Sequence, residues 1–188
     1  MVTRIISGRA GSLTLAVPEA GTRPTSDRVR ESLFGALEAA GLLADARVLD
    51  LYAGSGALAL EAVSRGARSA DLVEKNRRAA TIAERNAGAV LRAVPDARAR
   101  VHRTSADQFL RSAASTYDLA FLDPPYDVDD AELSATLALL VPRLASDAMV
   151  VVERAARSPE PELPSGLVHD RDKRYGDTAM WWVRPAAS

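Results

Sequence analysis

Two short motifs in this 188-residue chain hold residue types that can do chemistry together. The first is Asp50-Leu51-Tyr52-Ala53-Gly54-Ser55-Gly56, at the end of an apolar run over 47–52. Glycines serve where backbone must turn sharply and approach a ligand closely. The helix expected to follow, with Leu58, Leu60, Ala62 and Val63 around its axis, offers free N–H groups at its start. This strand–turn–helix setting is what gives a Gly-x-Gly pair meaning. Glu74 ends the next apolar run, 18 residues after Gly56, where an acid suits a ribose diol. A dinucleotide and S-adenosylmethionine both carry such a ribose. Two features favour the second: Asp50 stands four residues before the first glycine, and Ala59 occupies the third fingerprint position. An anionic side chain at 50 fits a cofactor that carries an ammonium and a sulfonium instead of a pyrophosphate.

The second motif is Asp123-Pro124-Pro125-Tyr126, directly after the apolar run 117–122. Ligands of open α/β sheets bind at the carboxyl ends of the strands, so this loop is expected to face the glycine loop. Two consecutive prolines fix φ and remove two N–H donors. What remains is a stiff ledge with a carboxylate, bare carbonyls and an aromatic ring. Such a ledge suits an exocyclic amine. Its N–H bonds point at the Asp123 carboxylate and the Pro124 carbonyl, and Tyr126 stacks on the base. These are preorganised contacts for an amine that becomes cationic as it attacks a methyl group.

The elements that position these motifs alternate. Apolar runs at 47–52, 69–74, 117–122 and 148–153, with a weaker and more basic one at 98–103, read as strands. Helical stretches are expected at 56–65, 76–92, 105–114 and 130–144. The pattern predicts an α/β fold with a mostly parallel sheet covered on both faces. Ahead of it, residues 1–22 read as a β-hairpin extension around Gly8–Gly11, and 23–188 as the main domain. Arg23-Pro24-Thr25-Ser26-Asp27 starts a helix that buries Val29, Leu33, Phe34 and Leu37 and stops near Gly41. The three prolines within 158–166 mark a loop, and strands near 166–171 and 178–184 form a final antiparallel hairpin.

Composition narrows the chemistry. The chain has no cysteine and two histidines, which excludes a disulfide scaffold, a thiol nucleophile and a cysteine-based zinc site. No metal is expected. His102 and His169, without a partner motif, read as structural. Trp181 and Trp182 are adjacent and point to opposite faces of a strand, one expected in the core. The opening Met1–Gly11 has no apolar signal segment and no run approaches a membrane span, so a cytoplasmic protein is expected. The net charge of −1 argues at first against a nucleic-acid partner, but it is a sum over unlike regions. Residues 1–30 hold five Arg against two acids, while 118–132 hold six acids and no base. It is the distribution that steers a charged partner.

The two motifs and their flanks resemble the RsmD family, bacterial 16S rRNA guanine-N2 methyltransferases. The flanks are Arg4-Ile5-Ile6-Ser7-Gly8, Arg23-Pro24-Thr25-Ser26-Asp27-Arg28-Val29-Arg30-Glu31 and Tyr175-Gly176-Asp177-Thr178. The resemblance covers nearly the whole chain. It implies a Rossmann-like class I methyltransferase fold of seven strands, S-adenosylmethionine as cofactor, and 16S rRNA, within a small-subunit particle, as partner of a monomeric enzyme. By the same resemblance, Asp50, Ala53, Gly54, Ser55 and Gly56 hold the methionine part of the cofactor. Glu74, with Lys75 beside it, holds the ribose, and Asp107 sits by the adenine amine. Asp123, Pro124 and Tyr126 hold the guanine. A subset of Arg4, Arg9, Arg23, Arg28 and Arg30, with Lys173 and Arg174, is expected on phosphates. The acidic stretch 127–132 is expected to face away from RNA. The rival readings are the same chemistry on another nucleobase amine, such as adenine N6, a nicotinamide-dependent oxidoreductase, and a catalytically silent assembly factor.

Overall fold

The computed structural model describes residues 2–18 and 26–187. Strands β1 (Val2–Arg4) and β2 (Thr14–Ala16) pair antiparallel as a small sheet of their own. Helix α1 (Asp27–Ala39) follows, capped by Ser26, whose hydroxyl accepts the Val29 N–H. Then come β3 (Arg47–Asp50), α2 (Ala57–Ser64), β4 (Ser69–Val73), α3 (Arg77–Ala93), β5 (Arg98–His102), α4 (Ala106–Ser112), β6 (Tyr117–Leu122), α5 (Asp130–Leu140), β7 (Leu144–Ala155), β8 (Leu167–Tyr175) and β9 (Thr178–Pro185). The seven-stranded sheet has the order β5-β4-β3-β6-β7-β9-β8. Its first five strands run parallel, and β9 pairs antiparallel with both β7 and β8. The expected fold class is the observed one.

Two apolar layers sandwich the sheet. Leu33, Phe34 and Leu37 of α1, Leu60 and Val63 of α2, and Ala83 and Val90 of α3 pack on Val48, Leu72, Phe121 and Val151. Phe109 and Leu110 of α4 and Leu133, Leu137 and Leu140 of α5 cover Leu49, Val73, Leu122 and Val150 on the other face. The adjacent tryptophans serve one layer each: Trp182 lies in the first and Trp181 in the second. Both are therefore core, and neither is offered to a partner.

Two details differ from the sequence expectation. The helix expected over 130–144 ends at Leu140, because Pro142 cannot continue it, and a 3-10 turn at Val141–Arg143 leads into β7. Leu144 is thus a strand residue. The final hairpin is longer than expected, with β8 reaching Tyr175. The basic character of β5 has a simple cause: it is the edge strand, and Arg98 and Arg100 are exposed.

The N-terminal hairpin is fastened to α2 and α3. The N–H groups of Ile6 and Ser7 donate to the buried Glu61 carboxylate at 2.7 and 3.0 Å. Asn86 of α3 accepts the Ala16 N–H at 3.0 Å and donates to the Ala16 carbonyl at 2.9 Å. The hairpin also contributes Ile5 and Leu15 to the first core layer.

Candidate active site

The carboxyl ends of the parallel strands form one edge, and the two motifs meet there. β3 delivers the glycine loop. The Ala53 N–H donates to the Val73 carbonyl at 3.0 Å and the Gly56 N–H to the Ala53 carbonyl at 2.7 Å, which closes a tight turn. Gly54 and Gly56 have φ of +54° and +82°, a region that suits residues without Cβ. A Cβ on Gly54 meets no protein atom within 4 Å, so the loop leaves open space in front of it. Gly56 is the N-cap of α2 and has no side chain to satisfy the first helical N–H groups.

Glu74 joins this loop to the next strand. One of its carboxylate oxygens accepts the Gly54 N–H at 3.0 Å and the other the Asn76 N–H at 2.7 Å. The expected ribose acid therefore stands at the glycine turn, held by backbone on both sides. Lys75, beside it, is exposed. Asn86, which the sequence reading did not select, donates to the Ser55 carbonyl at 2.8 Å with the same amide that holds Ala16. It ties the glycine loop to the N-terminal hairpin.

Asp50 is 2% exposed, and its Oδ1 has no hydrogen-bond partner among the described residues. Burial pushes its carboxyl up to about 7, and the Glu74 charge adds to the rise, while backbone hydrogen bonding from Ala59 and Tyr52 opposes it. A buried acceptor without a partner is costly by about 1–3 kcal/mol. A bound ammonium would satisfy it, so the residues present fit the expected cofactor.

β6 delivers Asp123, and the ledge follows. Asp50 pairs with Phe121 across β3 and β6, so Asp123 lies just beyond it on the same face. Burial raises the Asp123 carboxyl well above the usual carboxylate range, followed by the charges of Glu153 and Asp50. Pro124 is buried. Tyr126, by contrast, is 80% exposed and holds its ring out at the loop tip. Behind the ledge, Arg154 of β7 donates to the Val128 carbonyl at 3.1 Å and to Asp130 at 2.8 Å, pinning the start of α5. Asp129 caps that helix through the Glu132 N–H. Asp107, at the start of α4, accepts from the Thr136 hydroxyl at 3.2 Å. Tyr52 is half-buried beside Thr136 and Asp107, which places Asp107 across the edge from the glycine loop.

The expected phosphate-binding residues separate into two sets. Arg28 and Arg174, with Ser26, Val29, Tyr175 and Gly176, line a groove of about 420 Å³ between the start of α1 and the tip of the β8–β9 hairpin. Thr178 pairs with Ala155 at the end of β7, so this tip lies on the catalytic edge. Lys173 joins them; its ammonium donates to Ser32 at 3.1 Å and lies 5.0 Å from the Tyr175 ring. Arg4 is exposed near Asp27, at 3.7 Å. Arg23 lies outside the described residues.

Arg30 and Arg9 do not belong with that set. Arg30 is 1% exposed; one of its Nη atoms donates to Thr3 at 2.8 Å, to the Arg4 carbonyl at 2.9 Å and to Asp27 at 2.7 Å. It fastens α1 to β1 through that Nη, while its Nε and other Nη are buried without a hydrogen-bond partner among the described residues. Arg9 pairs with Asp96, in the turn before β5, and so sits at the opposite, amino-terminal edge of the sheet. The two histidines are also away from the ledge: His102 shares Asp71 with Tyr117, and His169 lies against Trp181.

Among the described residues no group of three metal-ligating side chains occurs, and no helix is long and apolar enough to cross a membrane.

Comparison with known proteins agrees with this geometry. Over 179 residues the chain is 38% identical to ribosomal RNA small subunit methyltransferase D of Escherichia coli K12, covering 94% of this chain and 86% of that one. It is 32% identical over 160 residues to the Haemophilus influenzae protein of the same name, covering 83% and 80%. Among solved structures, the Escherichia coli protein yhhF superposes with a TM-score of 0.84 at 34% identity, over the whole of both chains. A hypothetical protein of Thermus thermophilus superposes with a TM-score of 0.80 at 32% identity, over 97% and 99%. The family model described as conserved hypothetical protein 95 matches residues 3–184, and the chain belongs to that family, the RsmD family of methyltransferases.

Proposed function

We propose that this protein transfers a methyl group from S-adenosylmethionine to the exocyclic N2 amine of one guanine in 16S rRNA, within a small-subunit particle. The observation that carries the reading is the meeting of Asp50 and Asp123 on one face of adjacent strands. One is buried with an unpartnered oxygen at the glycine turn; the other stands at the head of a proline ledge. The small-subunit rRNA target follows the names of the relatives, and guanine N2 follows the sequence resemblance.

S-adenosylmethionine supplies an electrophilic methyl group when bound. Asp50 would accept its ammonium beside Ala53, Gly54, Ser55 and Gly56, and Glu74 its ribose, with Lys75 alongside. Asp107 would accept the adenine amine. Asp123 and the Pro124 carbonyl accept N–H bonds from the target amine and stabilise the positive charge it gains. Tyr126, already exposed, stacks on the base. A guanine inside RNA structure must first be unstacked into this cleft. The rest of the acceleration is alignment, worth about 7–11 kcal/mol when both reactants are held in line. Arg28, Lys173 and Arg174 would hold the phosphates near the hairpin tip, with Arg4 and Arg23 as further candidates. The enzyme acts as a monomer in the cytoplasm, with residues 1–22 as an extension of the 23–188 domain.

The test separates binding from chemistry. Asp123→Ala is expected to lose at least about a thousandfold in methyl transfer while calorimetry still detects cofactor binding. Retained transfer would remove Asp123 from the catalytic machinery.

A further inference from the structure

A second acid stands beside the ledge. The β6–β7 register pairs Phe121 with Val151 and Leu122 with Val152. The next rung sets Asp123 beside Glu153, and paired residues in a sheet point to the same face. Glu153 is half-buried at the end of β7 and faces Met180 of β9 on its other side. Its charge contributes to raising the Asp123 carboxyl, after burial, as expected of two groups that are close. Asp50, whose buried Oδ1 is assigned above to the cofactor ammonium, lies on the same face, so the pair of acids stands next to the cofactor side of the cleft.

Two acids side by side match one nucleobase edge better than another. The Watson–Crick edge of guanine presents N1–H and the N2 amine as adjacent donors. Adenine presents an amine beside a bare N1 acceptor. The two donors of a bound guanine favour the ionised form of both acids, which then only accept, and a flipped base is read along this edge. Resting on the proposed guanine-N2 activity, we propose that Glu153 is a specificity-determining residue that accepts the N1–H of the guanine whose N2 amine Asp123 holds. An adenine or a 2-aminopurine would set the N1 lone pair against Glu153. A site built to bond a substrate N–H discriminates against an analogue that sets a lone pair against the same acceptor.

The experiment uses the full chain and small-subunit particles reconstituted with guanine or 2-aminopurine at the methylated position. Transfer of labelled methyl from S-adenosylmethionine is measured in single turnover. 2-Aminopurine keeps the reacting amine and removes only the N1 proton and the 6-oxo group. The natural protein is expected to prefer guanine by at least about tenfold. Glu153→Gln, whose amide can donate as well as accept, is expected to reduce that preference about tenfold through faster transfer to 2-aminopurine. Cofactor affinity and thermal unfolding of the variant are measured alongside. An unchanged preference in a folded, cofactor-binding variant overturns the role of Glu153. Equal transfer to both bases by the natural protein overturns it whether or not the variant folds. Absence of any transfer to guanine N2 by the natural protein overturns the proposed activity instead.

Discussion

The chain has two hairpins whose neighbourhoods are rich in basic residues, and they use those residues in opposite ways. Around the N-terminal hairpin two of the arginines are committed to partners within the protein. Arg30 is buried against Thr3, the Arg4 carbonyl and Asp27, and Arg9 is paired with Asp96 at the far edge of the sheet. At the C-terminal hairpin tip, Arg28 and Arg174 line an open groove and make no ion pair among the described residues, with Lys173 alongside. By sequence both regions carry a basic excess, five Arg against two acids over 1–30 and four bases against three acids over 167–185. They differ in their ion pairs among the described residues: Arg9 and Arg30 have one each, and Arg28 and Arg174 have none. A basic cluster predicts a nucleic-acid face only after its internal partners are subtracted.

Four outcomes would break or sharpen this contrast. The largest concerns Arg30. Arg30→Ala leaves the Arg4 carbonyl and Thr3 without their buried donor, so stability should fall by about 2–3 kcal/mol. The salt dependence of RNA binding should not change, and a flatter slope would return Arg30 to the RNA face. Next, the double substitution Arg28→Ala with Arg174→Ala should weaken RNA binding about tenfold at moderate salt and lower the salt slope by about two phosphates. An unchanged slope would empty the groove of its assigned role.

The third outcome concerns the cofactor side. The Asp50 carboxyl is raised to about 7, so the folded state holds a proton there that the unfolded chain releases near the ordinary carboxylate value of 3.8. Its contribution to stability is therefore present at low pH and is lost as pH rises towards 7. A bound ammonium needs the ionised form. Cofactor affinity should consequently weaken about tenfold from pH 8 to pH 6, with a proton released on binding, as calorimetry in two buffers would show. Affinity that is flat with pH would sever Asp50 from the ammonium. The smallest effect belongs to Arg9. Arg9→Ala breaks a half-exposed pair and should shift stability by at most about 0.5 kcal/mol, with RNA affinity unchanged on filter binding.

Much of the site was legible because its signals are local. The glycine turn and the proline ledge each occupy a few consecutive residues at the end of an apolar strand, and the sheet brings such ends together as a rule. What stayed hidden depends on contacts distant along the chain. Asn86 bonds Ala16 and Ser55, 70 and 31 residues away, and nothing in its helix marks it. Glu153 gains meaning only from the register of β7 against β6. Arg30 sits within a basic stretch, and its burial follows from the docking of β1 on α1. The end of α5 was legible in principle, since Pro142 marks it, but the helical spacing continues through Leu144 and masks the stop.

The central claim is the identity of the methylated atom. Nucleoside mass spectrometry of 16S rRNA from cells with and without the gene tests it directly. The account predicts the loss of N2-methylguanosine at one position and its restoration by the natural protein but not by Asp123→Ala. An unchanged N2-methylguanosine content, or the loss of a methyladenosine in its place, would contradict it.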